Sequence, residues 1–175
     1  LLLGKKFILD PEPGDEKTEK LSGLTTDYEQ ANFWVAQKLQ ALLEGAGAIT
    51  VLTKNSLEEH PTPEDRVIAG EKFAGEYFIT ITHRKGEPYA AHYFLSQPGK
   101  KLAQAIANSM NRNLKIKPVE THEGLDFTII HSSSPSVLIS FGENHFNKEL
   151  KEKAIEQKAQ SIYQGLIEFL RNNQK

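Results

Sequence analysis

The stretch Ser133-Ser134-Pro135-Ser136-Val137-Leu138-Ile139-Ser140-Phe141-Gly142 decides how this chain is read. Serines and a proline open it, an unbroken aliphatic run fills it and Gly142 ends it. A half-exposed strand would alternate apolar and polar residues. A continuous run of this length fits a strand covered on both faces, as in a parallel sheet between helices. The polar slot at its end, Ser140, falls where open α/β folds place the side chains that do chemistry.

The rest of the chain repeats this grammar. Lys5–Asp10 reads as a strand stopped by Pro11, Pro13 and Gly14, and Glu12–Ser22 as an exposed loop. A helix begins near Asp27, with Ala31, Val35, Leu39, Leu42 and Leu43 on one face, and ends at Gly45 and Gly47. Ala48–Thr53 is the next strand. Thr62-Pro63-Glu64-Asp65 carries the marks of a helix start: a capping hydroxyl, a proline in the first turn and acids at the positive end of the dipole. Tyr77–His83 and Tyr89–Ser96 are rich in β-branched and aromatic residues. Gly99–Asn111 is helical, Phe127–His131 and Val137–Phe141 carry strand patterns, and Asn147–Asn173 forms one long amphipathic helix. Alternating strands and helices predict a single α/β domain over residues 1–175, a three-layer sandwich with a mostly parallel twisted sheet and helices on both faces. The gap between Tyr77–His83 and Tyr89–Ser96 is too short for a helical crossover, which predicts one antiparallel pair there.

Composition narrows the function. A formal net charge of −2 gives no basic field for nucleic acid. No apolar run approaches the ~20 residues that span a bilayer. Cysteine is absent, which excludes disulfides, thiolate metal sites and a cysteine nucleophile. Leu1-Leu2-Leu3 runs straight into the first strand, as expected of a domain excised from a longer exported protein.

Seven pieces in order, Lys6–Pro11, Asn32–Glu44, Ile49–Thr53, Arg66–Ala69, Tyr77–Ile81, Ser96–Ala103 and Phe127–Gly142, resemble the zinc-dependent N-acetylmuramoyl-L-alanine amidases, which cut the sugar–peptide bond of peptidoglycan. The resemblance implies three zinc ligands and a catalytic Glu. It puts the ligands at Pro13, Tyr28 and Thr82, and the Glu at Ser140. Zinc hydrolysis needs N or O ligands with one open position for water, and a base to move the proton. None of the four positions holds the expected residue, and such groups act as a unit. The expectation is therefore a non-catalytic amidase-like domain without a cofactor. It would lie outside the cytoplasmic membrane and bind a peptidoglycan fragment or a cell-envelope protein. A wall-facing spacer in an envelope or spore structure is a weaker reading. The alternative is an active zinc enzyme with rearranged ligands drawn from Glu12, Glu29 and His83, or from Asp10, Glu143 and His145 near strand ends.

Against the alternative, one step along a strand reverses a side chain's face, and Pro13 stiffens its loop. His83 reads as a solvent-facing or capping residue past a strand, as do His60 and His122 in their loops. His92 and His131 read as half-buried strand residues, and Trp34 as a packing residue on the first helix. His131 with Ser132-Ser133-Ser134 lacks a nucleophile elbow, and Gly99-Lys100-Lys101 lacks the rest of a phosphate loop.

Overall fold

The computed structural model describes residues 1–13, 25–116, 118–142 and 151–173. Six strands form one sheet: β1 (Lys6–Pro11), β2 (Ile49–Leu52), β3 (Tyr77–Thr82), β4 (Tyr89–His92), β5 (Glu120–Glu123) and β6 (Ser136–Ser140). Their order is β2-β1-β3-β6-β4-β5, parallel except for the β4–β6 pair. Five helices lie among the described residues: α1 (Thr25–Gly45), α2 (Pro63–Phe73), α3 (Gln97–Asn113), α4 (Phe127–His131) and α5 (Glu152–Asn172). The three-layer α/β sandwich expected from the alternation is the observed fold. None of the helices is long and apolar enough to cross a membrane.

Alternation along the strands sorts the layers. Phe7, Leu9, Ile79, Ile81, Val137 and Ile139 enter the main core with Val35, Leu39, Leu102, Ile106, Ile162 and Leu166, so α1, α3 and α5 cover one face. The helices α3 and α5 approach closely at Gly165, where a Cβ would lie 2.6 Å from the Ile106 Cα. On the other face, Ile8 and Phe78 pack against Gly70 in the last turn of α2, and Ile8 also against Gly75 just past it. That helix has the expected start: Thr62 Oγ1 accepts from Asp65 N at 3.1 Å, and the Asp65 carboxylate accepts from Thr62 N at 3.2 Å.

Four expectations need correction. First, β4 does run against β3, but β6 lies between them, so the antiparallel pair is β4–β6. A central parallel strand inserted late in the chain leaves no local trace in the β3–β4 gap. Second, Phe127–His131 is a short helix, and His131 is exposed. Both sides of β6, the strand that follows it, are already taken by β3 and β4. The polar segment Glu120–Glu123 is a strand instead, at the edge beside β4, where charged residues discourage edge-to-edge association. Third, the Trp34 indole is 36% exposed and does not enter the core its helix covers. Fourth, His92 is buried, and its Nδ1 meets the Tyr93 carbonyl oxygen at 3.2 Å. Most of the Glu12–Ser22 loop and the first residues of the Asn147–Asn173 segment lie outside the described residues.

Candidate functional site at the carboxyl end of the sheet

Because β1, β3 and β6 are parallel, their carboxyl ends meet along one edge. Pro11 pairs with Ile81, Thr82 pairs with Ser140, and Glu12 N donates to the Ile81 carbonyl at 3.0 Å. Thr80 and Thr82 share the α2–α4 face. His83, one residue on, turns to the α1–α5 face, in step with Ile79 and Ile81.

His83 is only 5% exposed, which corrects its reading as a solvent-facing residue. Its Nδ1 lies 2.6 Å from Asn32 Oδ1, and its Nε2 lies 3.0 Å from Lys158 Nζ. Asn32 Nδ2 donates in turn to the Glu12 carbonyl at 3.0 Å. The Tyr28 ring stacks on the imidazole at 5.9 Å between centroids, and Phe141 tilts against it at 5.2 Å. Lys158 Nζ also stands 5.2 Å from the Phe141 centroid. Burial, and after it the charge of Lys158, hold the His83 pKa well below its ordinary value. Burial pushes Lys158 down to about 7.

Ser140, where the resemblance implies a base, is fully buried. Its hydroxyl oxygen accepts from Arg84 N at 3.0 Å and from Gly142 N at 3.2 Å, so it closes the two loops that follow β3 and β6. The turn requires glycine: Gly142 has φ +78°, and a Cβ there would lie 2.8 Å from the Gly86 carbonyl oxygen. Arg84 grips Glu12 through two nitrogens at 3.1 and 2.7 Å, and also reaches Asp126 at 2.7 Å and the Tyr89 hydroxyl at 3.2 Å. Burial opposes its charge, but hydrogen bonding to Glu12 and that carboxylate's charge outweigh burial and raise its pKa.

Glu29 belongs to a neighbouring cluster. It is buried, 2.6 Å from the fully buried Lys54 Nζ and 3.3 Å from His60 Nδ1. His60 therefore touches a buried acid, unlike the free loop residue it was expected to be. His122 lies on β5 and not in a loop, exposed and against the Tyr89 ring. Beneath the edge, Asp10 is sealed from solvent. Thr53 and Thr80 donate to its two oxygens at 2.6 and 2.7 Å. Arg66 Nε stands 3.4 Å away but makes no hydrogen bond, so it acts on Asp10 through charge alone. Burial raises the Asp10 pKa against the opposing pull of Arg66 and the two hydroxyls.

The structure thus joins Tyr28 and His83, with Glu12 linked to them through Asn32, on one face of the strand ends. Thr82 and Ser140 pair at the same ends but face the other side. Glu29 lies in the separate cluster with Lys54 and His60, and Pro13 follows Glu12 directly. Glu143 and His145 lie outside the described residues. Among the described residues, no three His, Cys, Asp or Glu side chains form a group able to hold a metal ion. Sequence reasoning missed Asn32, Lys54, Arg84, Asp126 and Lys158. Only Lys158 left a signal: it falls three residues after Ile155 and four before Ile162, inside the apolar stripe of α5, where a lysine has no solvent to meet.

The sequence profile of the N-acetylmuramoyl-L-alanine amidase family matches residues 13–168. No curated protein sequence matches the chain. Among solved structures, the fold is similar to that of the amidase AmiC2 of Nostoc punctiforme, with 21% identity, 95% of this chain and 97% of that one covered, and a TM-score of 0.81. It is similar to an amidase of Clostridium difficile 630, with 20% identity, coverage of 97% and 98%, and a TM-score of 0.83. It is also similar to the CwlD amidase of Clostridioides difficile, solved in complex with the GerS lipoprotein, with 20% identity, coverage of 97% and 100%, and a TM-score of 0.72.

Proposed function

We propose that this chain, which belongs to the N-acetylmuramoyl-L-alanine amidase family, uses the amidase fold to bind and not to cleave. Its place of action is outside the cytoplasmic membrane, and its ligand is a peptidoglycan fragment or a cell-envelope protein. The observation that carries this reading is the state of Ser140. At the position where hydrolysis calls for a carboxylate base, a hydroxyl accepts two backbone N–H bonds. It has no charge to offer a water molecule and no geometry to spare.

The donors near the edge do not fit a zinc centre either. Pro13 offers no ligand atom. Glu12 is committed to Arg84, Glu29 to Lys54, and both ring nitrogens of His83 face other side chains. Zinc takes three protein ligands in a catalytic site, and a carboxylate already paired with a cation is a poor one. Support for a protein partner comes from the CwlD amidase, which was solved with a lipoprotein bound.

The competing reading, an active zinc amidase with rearranged ligands, draws on Glu12, Glu29 and His83 lying near the same end of the sheet. Both readings meet in one experiment. Purified protein is assayed for zinc, then incubated with peptidoglycan, with and without added zinc and with chelator. The expected result is co-sedimentation with the wall or capture of an envelope protein, no stoichiometric zinc and no release of free amino groups. Chelator-sensitive release of amino groups would overturn the proposal.

A further inference from the structure

Hydrogen-bond direction at His83 is fixed from outside the ring. The Glu12 carbonyl only accepts, so the Asn32 atom facing it is the amide nitrogen. Asn32 therefore turns its oxygen, which also only accepts, to His83 Nδ1 at 2.6 Å. Nδ1 must carry the proton. In a neutral imidazole protonated there, Nε2 holds the free lone pair, and the atom facing it at 3.0 Å is Lys158 Nζ, a donor. That lone pair is the one a histidine would give to a metal through Nε2.

From this chain of contacts we propose that Lys158 takes the one lone pair that His83 could offer a metal: its N–H fills the His83 Nε2 lone pair, and the relay Lys158–His83–Asn32–Glu12 joins α5, the end of β3, α1 and the end of β1 without a metal. The geometry is exclusive. A zinc ion sits about 2 Å from a ligating nitrogen. Along the 3.0 Å line from Nε2 to Nζ that leaves about 1 Å to the lysine nitrogen, which no ion can occupy. The surroundings suit an amino group. Phe141 presents its ring at 5.2 Å, a distance typical of cation–π attraction. Tyr28, where the resemblance implies a ligand, contributes a ring stacked on the imidazole.

This inference rests on reading the domain as metal-free, and the experiment separates the two. Imidazole nitrogens are observed by ¹⁵N NMR in the wild type and in Lys158→Met, with His83→Gln to assign the resonance. Each sample is titrated with zinc chloride after treatment with chelator. In the wild type, His83 is expected as the Nδ1–H tautomer with a hydrogen-bonded Nε2, unmoved by stoichiometric zinc. In Lys158→Met, Nε2 should shift toward the position of a bare lone pair and then respond to millimolar zinc. A wild-type ring protonated at Nε2, or an Nε2 resonance unmoved by Lys158→Met, overturns the role of Lys158 and leaves the metal-free reading standing. A wild-type His83 resonance that moves with stoichiometric zinc overturns both. Should Lys158→Met fail to fold, the wild-type tautomer and its zinc response decide alone.

Discussion

Along β1 and β3, neighbouring side chains live in opposite surroundings. Phe7, Leu9, Ile79 and Ile81 face α1, α3 and α5 and are fully buried among apolar side chains. Asp10 and Thr80 face α2 and α4 and are as deeply buried, but each is held by directed bonds: Thr53 and Thr80 to Asp10, Thr80 against Thr128 at 3.4 Å, and Arg66 by charge. The first face gains its stability from area removed from water, which is non-directional and tolerant of exchange. The second depends on the bonds that Asp10 and Thr80 keep, since each further buried orphan beside Arg66 Nε costs more than a hydrogen bond returns. The polar face lies just below the candidate site, so the site's floor is the more brittle part of the molecule.

Substitutions on the two faces test that contrast. Asp10→Ala should have the largest effect, a loss of about 4 kcal/mol in urea unfolding, because it strands the Arg66 cation and two hydroxyls in the interior. A smaller, paired test compares Thr80→Val with Ile139→Val. The first keeps shape but removes a donor from Asp10 and should cost about 2 kcal/mol. The second removes one methylene from the apolar face and should cost about 1 kcal/mol. A larger loss from Ile139→Val than from Thr80→Val would erase the distinction between the faces.

The smallest effect concerns Glu71, on the exposed side of α2, where Ser133 donates from N at 2.9 Å and from Oγ at 2.6 Å. The Ser133 hydroxyl and then its amide hold the Glu71 pKa below the ordinary value. A carboxylate lowered in the folded state adds stability above its unfolded pKa, and that stability is lost as pH falls through the folded one. The gap between wild type and Glu71→Gln should therefore be present at pH 6 and close as pH drops below about 4.5. A gap that stays constant from pH 6 to pH 3 would remove the charge from that contact.

The Val137–Ile139 run, the stripe on α1 and the helix start at Thr62 were legible because each is a local pattern whose meaning does not depend on distant partners. The slots where the resemblance implies a His and a Glu, Pro13 and Ser140, were likewise read from local sequence alone. His83 was not legible: a histidine one residue past a strand looks exposed until α1 and α5 are known to close over it. Glu120–Glu123 was hidden for the opposite reason, as this edge strand has no apolar residue to announce it.

Taken alone, the sequence determined the layers, because hydrophobic periodicity is local and alternating strands and helices bury their apolar sides by placing helices against a mostly parallel sheet. Beside it, the family resemblance supplied an expectation about the side chains at the end of the sheet. Which residues meet there was decided by the tertiary structure. Lys158, Asn32 and His83 are separated by 51 and 75 positions, and only the packing of α1 and α5 across β3 brings a donor, a lone pair and an acceptor into line.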